Sequence, residues 1–222
     1  METQAADLTV AVQDYLKAIY ALETAGERAT TSALATRMSV SAPSATAMTK
    51  RLADLGLVER APYRGVALTD QGRSGALEVI RHHRLLERYL VDRLGLSLDE
   101  VHAEAELLEH ALSEELEAKI DAELGYPTHD PHGDPIPDAE LRLDHGPGRT
   151  LVDLDAGERA SVSRVPDGDP ELLRYLTDLG LVPDASVEVV AHAPFGGPVT
   201  VRTESGDHPI SRELADRISA TT

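Results

Sequence analysis

The segment SAPSATAMTKRLADLG, residues 41–56, is followed directly by LVERAPYRGVALT, residues 57–69. Ser41 is a favourable helix N-cap, Pro43 is tolerated in a first helical turn, and Gly56 is typical of a helix end. The first segment therefore predicts a helix. The second segment has two apolar runs of β-forming residues around PYRG, which predicts a β-hairpin.

Two more helices are predicted before this pair. In residues 8–24 the apolar side chains recur at helical spacing, which predicts an amphipathic helix. Residues 31–38 predict a short second helix with Ser or Thr caps. Three helices followed by a hairpin is the order of a winged helix-turn-helix, in which the third helix contacts base edges and the wing contacts phosphate. A helical module used for protein contacts is the alternative interpretation.

The basic residues of the chain are concentrated in this region. Residues 27–81 carry eight Lys or Arg against five Asp or Glu, whereas the whole chain has a formal net charge of −18. Because a duplex repels an acidic surface, DNA binding is expected here rather than elsewhere. The start of the third helix offers small side chains that suit close approach to bases, and basic side chains follow one turn later. The candidate DNA-contacting residues are Ser41, Pro43, Ser44, Thr46, Ala47, Lys50, Arg51, Tyr63 and Arg64.

Two long helices are predicted after the hairpin, over residues 69–94 with Thr69 as the cap and over residues 98–124. The second helix contains VHAEAELLEH, residues 101–110. At about 100° per residue, one face of this helix is polar and lies apart from the apolar stripe. That face carries His102, Glu106, Glu109 and His110. A solvated acidic face with two incidental histidines is one interpretation of this pattern.

The preceding helix supports a metal site instead. RHHRLLE, residues 81–87, places His83 and Glu87 four residues apart, on one helical face. Two adjacent antiparallel helices would bring both His/Glu faces together, where several carboxylates would repel one another without a cation. The sequence has no Cys. Oxygen and imidazole ligands without sulfur suit Mn(II) or Fe(II), and suit Zn(II) or Co(II) less selectively.

Residues 125–148 are rich in Pro, Gly and Asp, which predicts a loop and linker. Within them HDPHGDPIP, residues 129–137, is interpreted as a Pro-fixed structural loop in preference to a third metal site. Short strands are predicted after this linker, with one helical insert at residues 170–181. The predicted strands are residues 150–154, 159–165, 186–192 and 198–203. This pattern predicts a small β-barrel-like domain, so the expected fold class is mainly α with a small β part.

The N-terminal residues METQAADLTV have no basic region and no long apolar run, and no stretch approaches the roughly 20 apolar residues of a membrane span. We therefore expect a cytoplasmic protein without a membrane partner. The His/Glu cluster is accompanied by no HExxH motif and no Gly-rich or nucleophile loop. We therefore expect a protein that is not an enzyme and has no small organic substrate.

With RHHRLLE, VHAEAELLEH and DPHGDPIP in this order, the chain resembles the diphtheria toxin repressor family of metal-dependent transcriptional regulators over nearly its whole length. The resemblance implies a homodimer joined through the helices after the wing, and a C-terminal SH3-like domain. The expected domains are a winged helix-turn-helix at residues 1–73, a helical dimerisation and metal-binding domain at 74–138, a linker at 139–150 and the SH3-like domain at 151–222.

The resemblance also implies two metal sites. The ligands of the primary site match Asp14, Glu106, Glu109 and His110. The ligands of the ancillary site match His83, Glu87 and His102, completed by acceptors from the SH3-like domain. In DGDPELL, residues 167–173, Asp169 or Glu171 is the candidate acceptor. For Asp169 a helix N-cap is the alternative.

The family's iron-responsive branch has Met and Cys where this chain has Asp14 and Glu106, whereas its manganese-responsive branch has Asp and Glu. Hard carboxylates favour Mn(II). Lys17 stands where some manganese regulators have Glu, which argues against a pair of closely spaced metals. The resemblance thus implies a Mn(II)-dependent repressor that binds palindromic operator DNA and controls metal-uptake genes. An iron(II)-dependent repressor of the same architecture is the alternative.

Overall fold

The computed structural model of the protein describes residues 8–61, 65–143 and 148–222. Its helices are α1 Val10–Thr24, α2 Thr31–Arg37, α3 Ala42–Asp54, α4 Asp70–Leu94, α5 Leu98–Leu108, α6 Glu114–Glu123, α7 Pro170–Asp178 and α8 Arg212–Ala215. Its strands are β1 Val58–Ala61, β2 Gly65–Leu68, β3 Arg149–Thr150, β4 Arg159–Arg164, β5 Ser186–His192, β6 Val199–Thr203, β7 Gly206–Ile210 and β8 Ser219–Thr221. Within the described ranges, no helix has the length and apolar character that a membrane crossing requires.

The chain divides into two compact units. The first unit consists of Met1–His83, Glu109–Glu117 and Pro137–Leu143, and the second consists of Arg84–Leu108, Ala118–Ile136 and Asp144–Thr222. The boundary between them falls inside α4. The expected domain limits at residues 73, 138 and 150 therefore remain predictions.

The first unit contains the predicted winged helix-turn-helix, and this part of the fold prediction is confirmed. Ser41 caps α3, since its hydroxyl accepts a hydrogen bond from the Ser44 backbone N–H at 3.3 Å. Strands β1 and β2 pair antiparallel in the expected hairpin. One apolar core joins all of these elements. It includes Leu16 and Ile19 of α1, Leu34 of α2, Leu52 of α3 and Leu57 before β1.

The predicted continuous helix over residues 98–124 is wrong. The chain forms α5 to Leu108, then a 3-10 turn at Glu109–Ala111, and then starts again as α6. Ser113 begins the new helix, because its hydroxyl accepts from the Leu116 N–H at 3.3 Å. The first turn of α6 is acidic, and negative charge stabilises the N-terminus of a helix. The straight helix from which the polar face was predicted therefore ends at Leu108.

The second unit contains the expected C-terminal β domain. Its six strands pair antiparallel in the order β3-β8-β4-β5-β6-β7. Leu173 and Leu176 of α7 enter the apolar core that this sheet covers. The strand predicted at residues 150–154 is reduced to the short β3, and β7 and β8 were not predicted.

The Pro-rich loop at residues 128–136 lies against β4 in the second unit. The Val165 backbone N–H donates to the His132 carbonyl at 2.9 Å. Gly133 has a φ of +91°, and a Cβ there would lie 1.9 Å from the Ser163 carbonyl oxygen. Only glycine therefore fits at this position. The Asp130 carboxylate accepts from two backbone N–H groups of the loop, at 2.8 and 2.9 Å.

Candidate metal centres and DNA-contacting face

Asp14, Glu109 and His110 come together in the first unit. Each offers a ligand atom, and these atoms lie within 4.8 Å of one another. His110 Nε2 is 3.0 Å from Asp14 Oδ1 and 3.3 Å from Glu109 Oε1. The other ring nitrogen of His110, Nδ1, is 2.6 Å from Gln13 Oε1. Such a partner holds the proton on Nδ1 and leaves the Nε2 lone pair for a cation. The structure thus brings together three of the four residues expected in the primary site.

Glu106 is the fourth residue expected in the primary site. Glu109 and His110 lie in the 3-10 turn of the first unit, whereas His102 and Glu106 lie on α5 of the second. The straight helix from which the shared face of all four was predicted ends at Leu108, because Glu109 and His110 lie in the 3-10 turn. Glu106 Oε1 is 3.7 Å from His102 Nε2, and the Glu106 side chain is 57% exposed. Its role as a primary ligand stays a prediction.

Glu109 is the most deeply enclosed residue of this group. Its side chain is 1% exposed, and Lys17 Nζ lies 2.7 and 2.8 Å from its two oxygens. His83 Nδ1 is 2.6 Å from Glu109 Oε2. Burial raises the pKa of Glu109, but the hydrogen bond from His83 and the charge of Lys17 outweigh it, so the net pKa is lowered. The carboxylate is thus ionised and already has a protein cation beside it.

A second group of ligand atoms lies in the second unit. Glu87 of α4 is fully buried, and His102 Nδ1 is 3.1 Å from its Oε1. His83, the other residue expected in the ancillary site, is one turn earlier on α4 and contacts Glu109 in the first unit. Asp130 and His132 from the Pro-rich loop each place a ligand atom within 4.8 Å of one from Glu87. The sequence favoured a structural loop here over a third metal site, so Asp130 and His132 were not among the predicted ligands.

The charges of this second group are poorly balanced without a metal. Burial, followed by the charges of Glu87 and Asp134, raises the pKa of Asp130 to about 7. Burial lowers the pKa of His132, but the hydrogen bond and charge of Glu87 outweigh it and raise the pKa to about 9. Within the described residues, Asp130 Oδ2 is buried without a hydrogen-bond partner, and His132 Nδ1 lies 3.5 Å from Glu87 Oε2. His132 Nε2 lies 3.0 Å from the Leu98 carbonyl oxygen, which can fix the tautomer. Two carboxylates and an imidazole in this arrangement fit a divalent cation.

The two candidate ligands from the SH3-like domain have a different environment. Asp169 is the N-cap of α7, and its Oδ1 accepts from the Glu171 and Leu172 N–H groups at 3.1 and 3.2 Å. The helix-cap alternative therefore describes Asp169. Neither Asp169 nor Glu171 belongs to a cluster of ligand atoms in the part of the chain that the structure describes. Their role in an ancillary site stays a prediction.

The predicted DNA-contacting face of α3 is exposed. Its core-facing positions are Ala45, Thr49 and Leu52, which are buried. The exposed residues between and before them are Ser41, Pro43, Ser44, Thr46, Ala47, Lys50 and Arg51. This helix therefore presents small side chains at its start and two cations further along. The predicted wing-tip residues Tyr63 and Arg64 lie outside the described residues.

Three family models match the chain. Residues 7–66 match the iron dependent repressor N-terminal DNA binding domain, and residues 69–138 match the iron dependent repressor metal binding and dimerisation domain. Residues 149–221 match the FeoA domain.

Characterised relatives match over most of their length. The chain is 37% identical over 224 residues to the iron-dependent repressor IdeR of Mycobacterium tuberculosis (H37Rv), covering 96% of this chain and 97% of IdeR. It is 34% identical to the diphtheria toxin repressor of Corynebacterium glutamicum, covering 83% of this chain and 85% of that repressor. The solved structure of a manganese-dependent transcriptional repressor in complex with manganese is 41% identical, has a TM-score of 0.84, and covers 95% of this chain and 99% of its own.

Proposed function

Because the chain belongs to the diphtheria toxin repressor family of metal-dependent transcriptional repressors, we propose that it is a manganese-dependent, homodimeric repressor of metal-uptake genes. The family consists of DNA-binding repressors and not of enzymes. The proposal includes a palindromic operator, because two identical recognition helices in a dimer meet two half-sites. It also includes a cytoplasmic location, where a bacterial regulator meets the chromosome.

The meeting of Asp14 with Glu109 and His110 carries this proposal. Asp14 lies on α1, which shares one apolar core with the recognition helix α3 through Leu16 and Leu52. Asp14 and His110 therefore hold α1, and with it α3, against the turn at Glu109–Ala111. When bound, a divalent cation supplies positive charge that offsets the carboxylates of Asp14 and Glu109. In this proposal, metal binding by the primary ligands determines the position of the recognition helix α3.

The ligand chemistry supports manganese. The sequence contains no Cys, and both groups of ligand atoms consist of carboxylates and imidazoles. Such ligands suit Mn(II) better than the soft metals. Glu87, Asp130 and His132 would hold the ancillary cation, with His102 beside Glu87. The 41% identity to a manganese-dependent repressor adds support.

An iron(II)-dependent repressor is the second candidate. The 37% identity to an iron-dependent repressor over nearly the whole chain favours it. Imidazole and carboxylate oxygen also bind Fe(II), and a relative binds Zn²⁺ in a solved structure, so Zn(II) and Co(II) belong in any comparison. Metal selectivity then rests on the availability of each free metal in the cell and on site geometry.

Fluorescence anisotropy on the DNA upstream of the protein's own gene tests the proposal. The protein is titrated with Mn(II), Fe(II), Co(II) and Zn(II) at matched free metal, with a chelator control. Saturable binding that requires metal and is strongest with Mn(II) is the expected result. Stronger activation by Fe(II) would select the iron alternative, and equally tight binding in chelator would contradict metal dependence.

The variant Asp14→Asn tests the proposed role of α1. It is expected to remain a folded dimer by circular dichroism and size-exclusion chromatography, and to lose the metal-induced gain in DNA affinity. Glu27→Gln is the matched control, because Glu27 is exposed shortly after α1 and the substitution removes the same charge. A response of Asp14→Asn to Mn(II) equal to that of the parent would show that α1 is not held through the metal.

A further inference from the structure

A cluster distinct from both metal groups lies between α4 and α6 in the first unit. Glu78 and His82 are four residues apart on one face of α4, and Glu114 is the first residue of α6. Each of the three offers a ligand atom, and these atoms lie within 4.8 Å of one another. The sequence analysis gave none of them a role.

The carboxylate of Glu78 is buried beside a second carboxylate. Glu78 is 7% exposed, and its Oε2 is buried without a hydrogen-bond partner among the residues that the structure describes. Burial, followed by the charge of Glu114, raises the pKa of Glu78 to about 7. Two neighbouring carboxylates disfavour each other's ionised form, whereas a divalent cation between them favours both. The Glu78 carboxyl group is thus buried next to the carboxyl group of Glu114 and the imidazole of His82, and a divalent cation at this position would favour its ionised form.

The His82 imidazole is held as a metal ligand requires. Its Nδ1 lies 3.1 Å from the Glu109 backbone carbonyl, and only an N–H at Nδ1 can donate there. Metal-binding histidines commonly donate their second ring nitrogen to a backbone carbonyl in this way. The remaining nitrogen, Nε2, lies 2.8 Å from Glu117 Oε2, and this pairing raises the pKa of His82 despite its burial. A metal that binds at Nε2 therefore replaces the proton that Nε2 shares with Glu117.

Glu117 has its own cation and does not need the metal. Arg81 Nε donates to Glu117 Oε1 at 2.6 Å, and Arg81 also donates to the Pro137 carbonyl at 2.7 Å. Glu117 is therefore the partner of His82 Nε2 in the metal-free protein, and it keeps Arg81 as its cation when a metal takes that nitrogen. Glu114 is exposed, which leaves a path from solvent to the cluster.

We propose that Glu78, His82 and Glu114 form a further binding site for a divalent first-row transition metal, separate from the primary and ancillary centres. Two carboxylates and one imidazole suit Mn(II) and Zn(II), and Zn(II) binds such ligands more tightly than Mn(II). The bound metal fixes the start of α6 to α4. It also fixes His82, which contacts the backbone of Glu109, a ligand of the primary centre. The site therefore stabilises the turn at Glu109–Ala111 through the contact between His82 and the Glu109 backbone.

Equilibrium dialysis of the full chain against Mn(II), and separately against Zn(II), tests this site, with bound metal counted by mass spectrometry. Glu114→Gln and Glu78→Gln are each expected to bind one metal fewer per chain than the parent at the same free metal. Glu115→Gln, an exposed neighbour on α6, is the matched control and is expected to bind the parent's number. Circular dichroism in chelator checks that the variants fold. Because Glu114 is exposed, we expect Glu114→Gln to fold like the parent.

The same measurement in an Asp14→Asn background separates this site from the primary centre. One metal fewer is expected there too when Glu114→Gln is added, whether or not the primary centre controls DNA binding. The proposal is overturned if Glu114→Gln and Glu78→Gln bind as many metals as the parent. It is also overturned if the effect of Glu114→Gln disappears in the Asp14→Asn background, because the loss would then belong to the primary centre.

Discussion

Replacing Lys17 with methionine removes the protein's own cation from the proposed primary centre. Lys17 Nζ lies 2.7 and 2.8 Å from the two oxygens of Glu109, whose side chain is 1% exposed. In Lys17→Met the Glu109 carboxylate keeps His83 Nδ1 at 2.6 Å as a partner. The variant should therefore be less stable without metal and should bind metal more tightly, because a cation no longer competes for Glu109.

The size of both effects follows from the burial of the pair. Removing one partner of a buried ion pair lowers the free energy of unfolding by about 3–5 kcal/mol. Because Glu109 keeps its contact with His83, we expect a loss of about 3 kcal/mol, at the lower end of this range. For a chain of this size that corresponds to a fall in melting temperature of roughly 6–12 °C. Binding of Mn(II) at about 100 times its Kd stabilises the folded state by about 2.7 kcal/mol, which nearly offsets the loss. The gain in Mn(II) affinity should be at least about tenfold, or roughly 1.4 kcal/mol.

Thermal unfolding followed by circular dichroism, in chelator and in Mn(II), measures the stability, and isothermal titration calorimetry measures the affinity. Lys119→Met is the control, because Lys119 is exposed on α6 and has no proposed role. Equal melting temperatures of the parent and Lys17→Met in chelator would refute the buried-pair argument. An unchanged Mn(II) affinity would refute the competition between Lys17 and the metal.

Three further predictions concern the loop, the second centre and the DNA-contacting face. Gly133→Ala should lose about 3 kcal/mol in urea unfolding, because its Cβ would lie 1.9 Å from the Ser163 carbonyl oxygen, whereas Gly168→Ala, whose Cβ meets no described atom within 4 Å, should lose only about 1 kcal/mol. Equal losses would contradict the close approach of the loop to β4. The raised pKa of Asp130, about 7, means that its protonation stabilises the metal-free fold at low pH and that this contribution is lost as the pH rises through about 7. Asp130→Asn in chelator should therefore show a smaller fall in melting temperature between pH 5 and pH 8, and an unchanged pH profile would contradict this. Lys50→Ala should weaken binding to operator and random DNA alike and reduce the salt slope by about 1 in anisotropy, whereas a loss confined to the operator would assign Lys50 to base contacts.

The sequence was sufficient for the elements whose signals are local. Ser41 and Gly56 mark the ends of α3, and the apolar spacing in residues 8–24 identifies α1. The dipeptide of Asp169 and Pro170 marks the start of α7, which is why the helix-cap alternative for Asp169 describes the structure. In each case the deciding atoms lie within a few residues of one another.

The break between α5 and α6 was missed because periodicity does not detect it. Residues 98–124 keep a helical pattern without Gly or Pro until Gly125, and the break depends on a single Ser113 hydroxyl that caps α6. An acidic turn after a serine was the available signal. The prediction of one continuous helix also extended the polar face of His102 to Glu109, which lies beyond the end of α5.

The groups of candidate metal ligands could be predicted only in part from the sequence, because their members are distant from one another along the chain. Lys17 and Glu109 are 92 residues apart, and their contact depends on the packing of α1. The Pro-rich loop was interpreted from composition, which explains its rigidity but not the burial of Asp130 and His132 near Glu87. An Asp and a His two residues apart in such a loop, together with a Glu on an earlier helix, are the pattern to look for in related sequences.

Thermodynamic linkage between metal and DNA tests the central claim most directly. Mn(II) affinity of the parent is measured by isothermal titration calorimetry with and without saturating operator DNA, and DNA affinity is measured with and without Mn(II). If Asp14, Glu109 and His110 couple the two ligands, both affinities rise by the same factor, and Asp14→Asn reduces that factor to about one. An Mn(II) affinity that DNA leaves unchanged, at a primary centre shown to be occupied, would contradict the account.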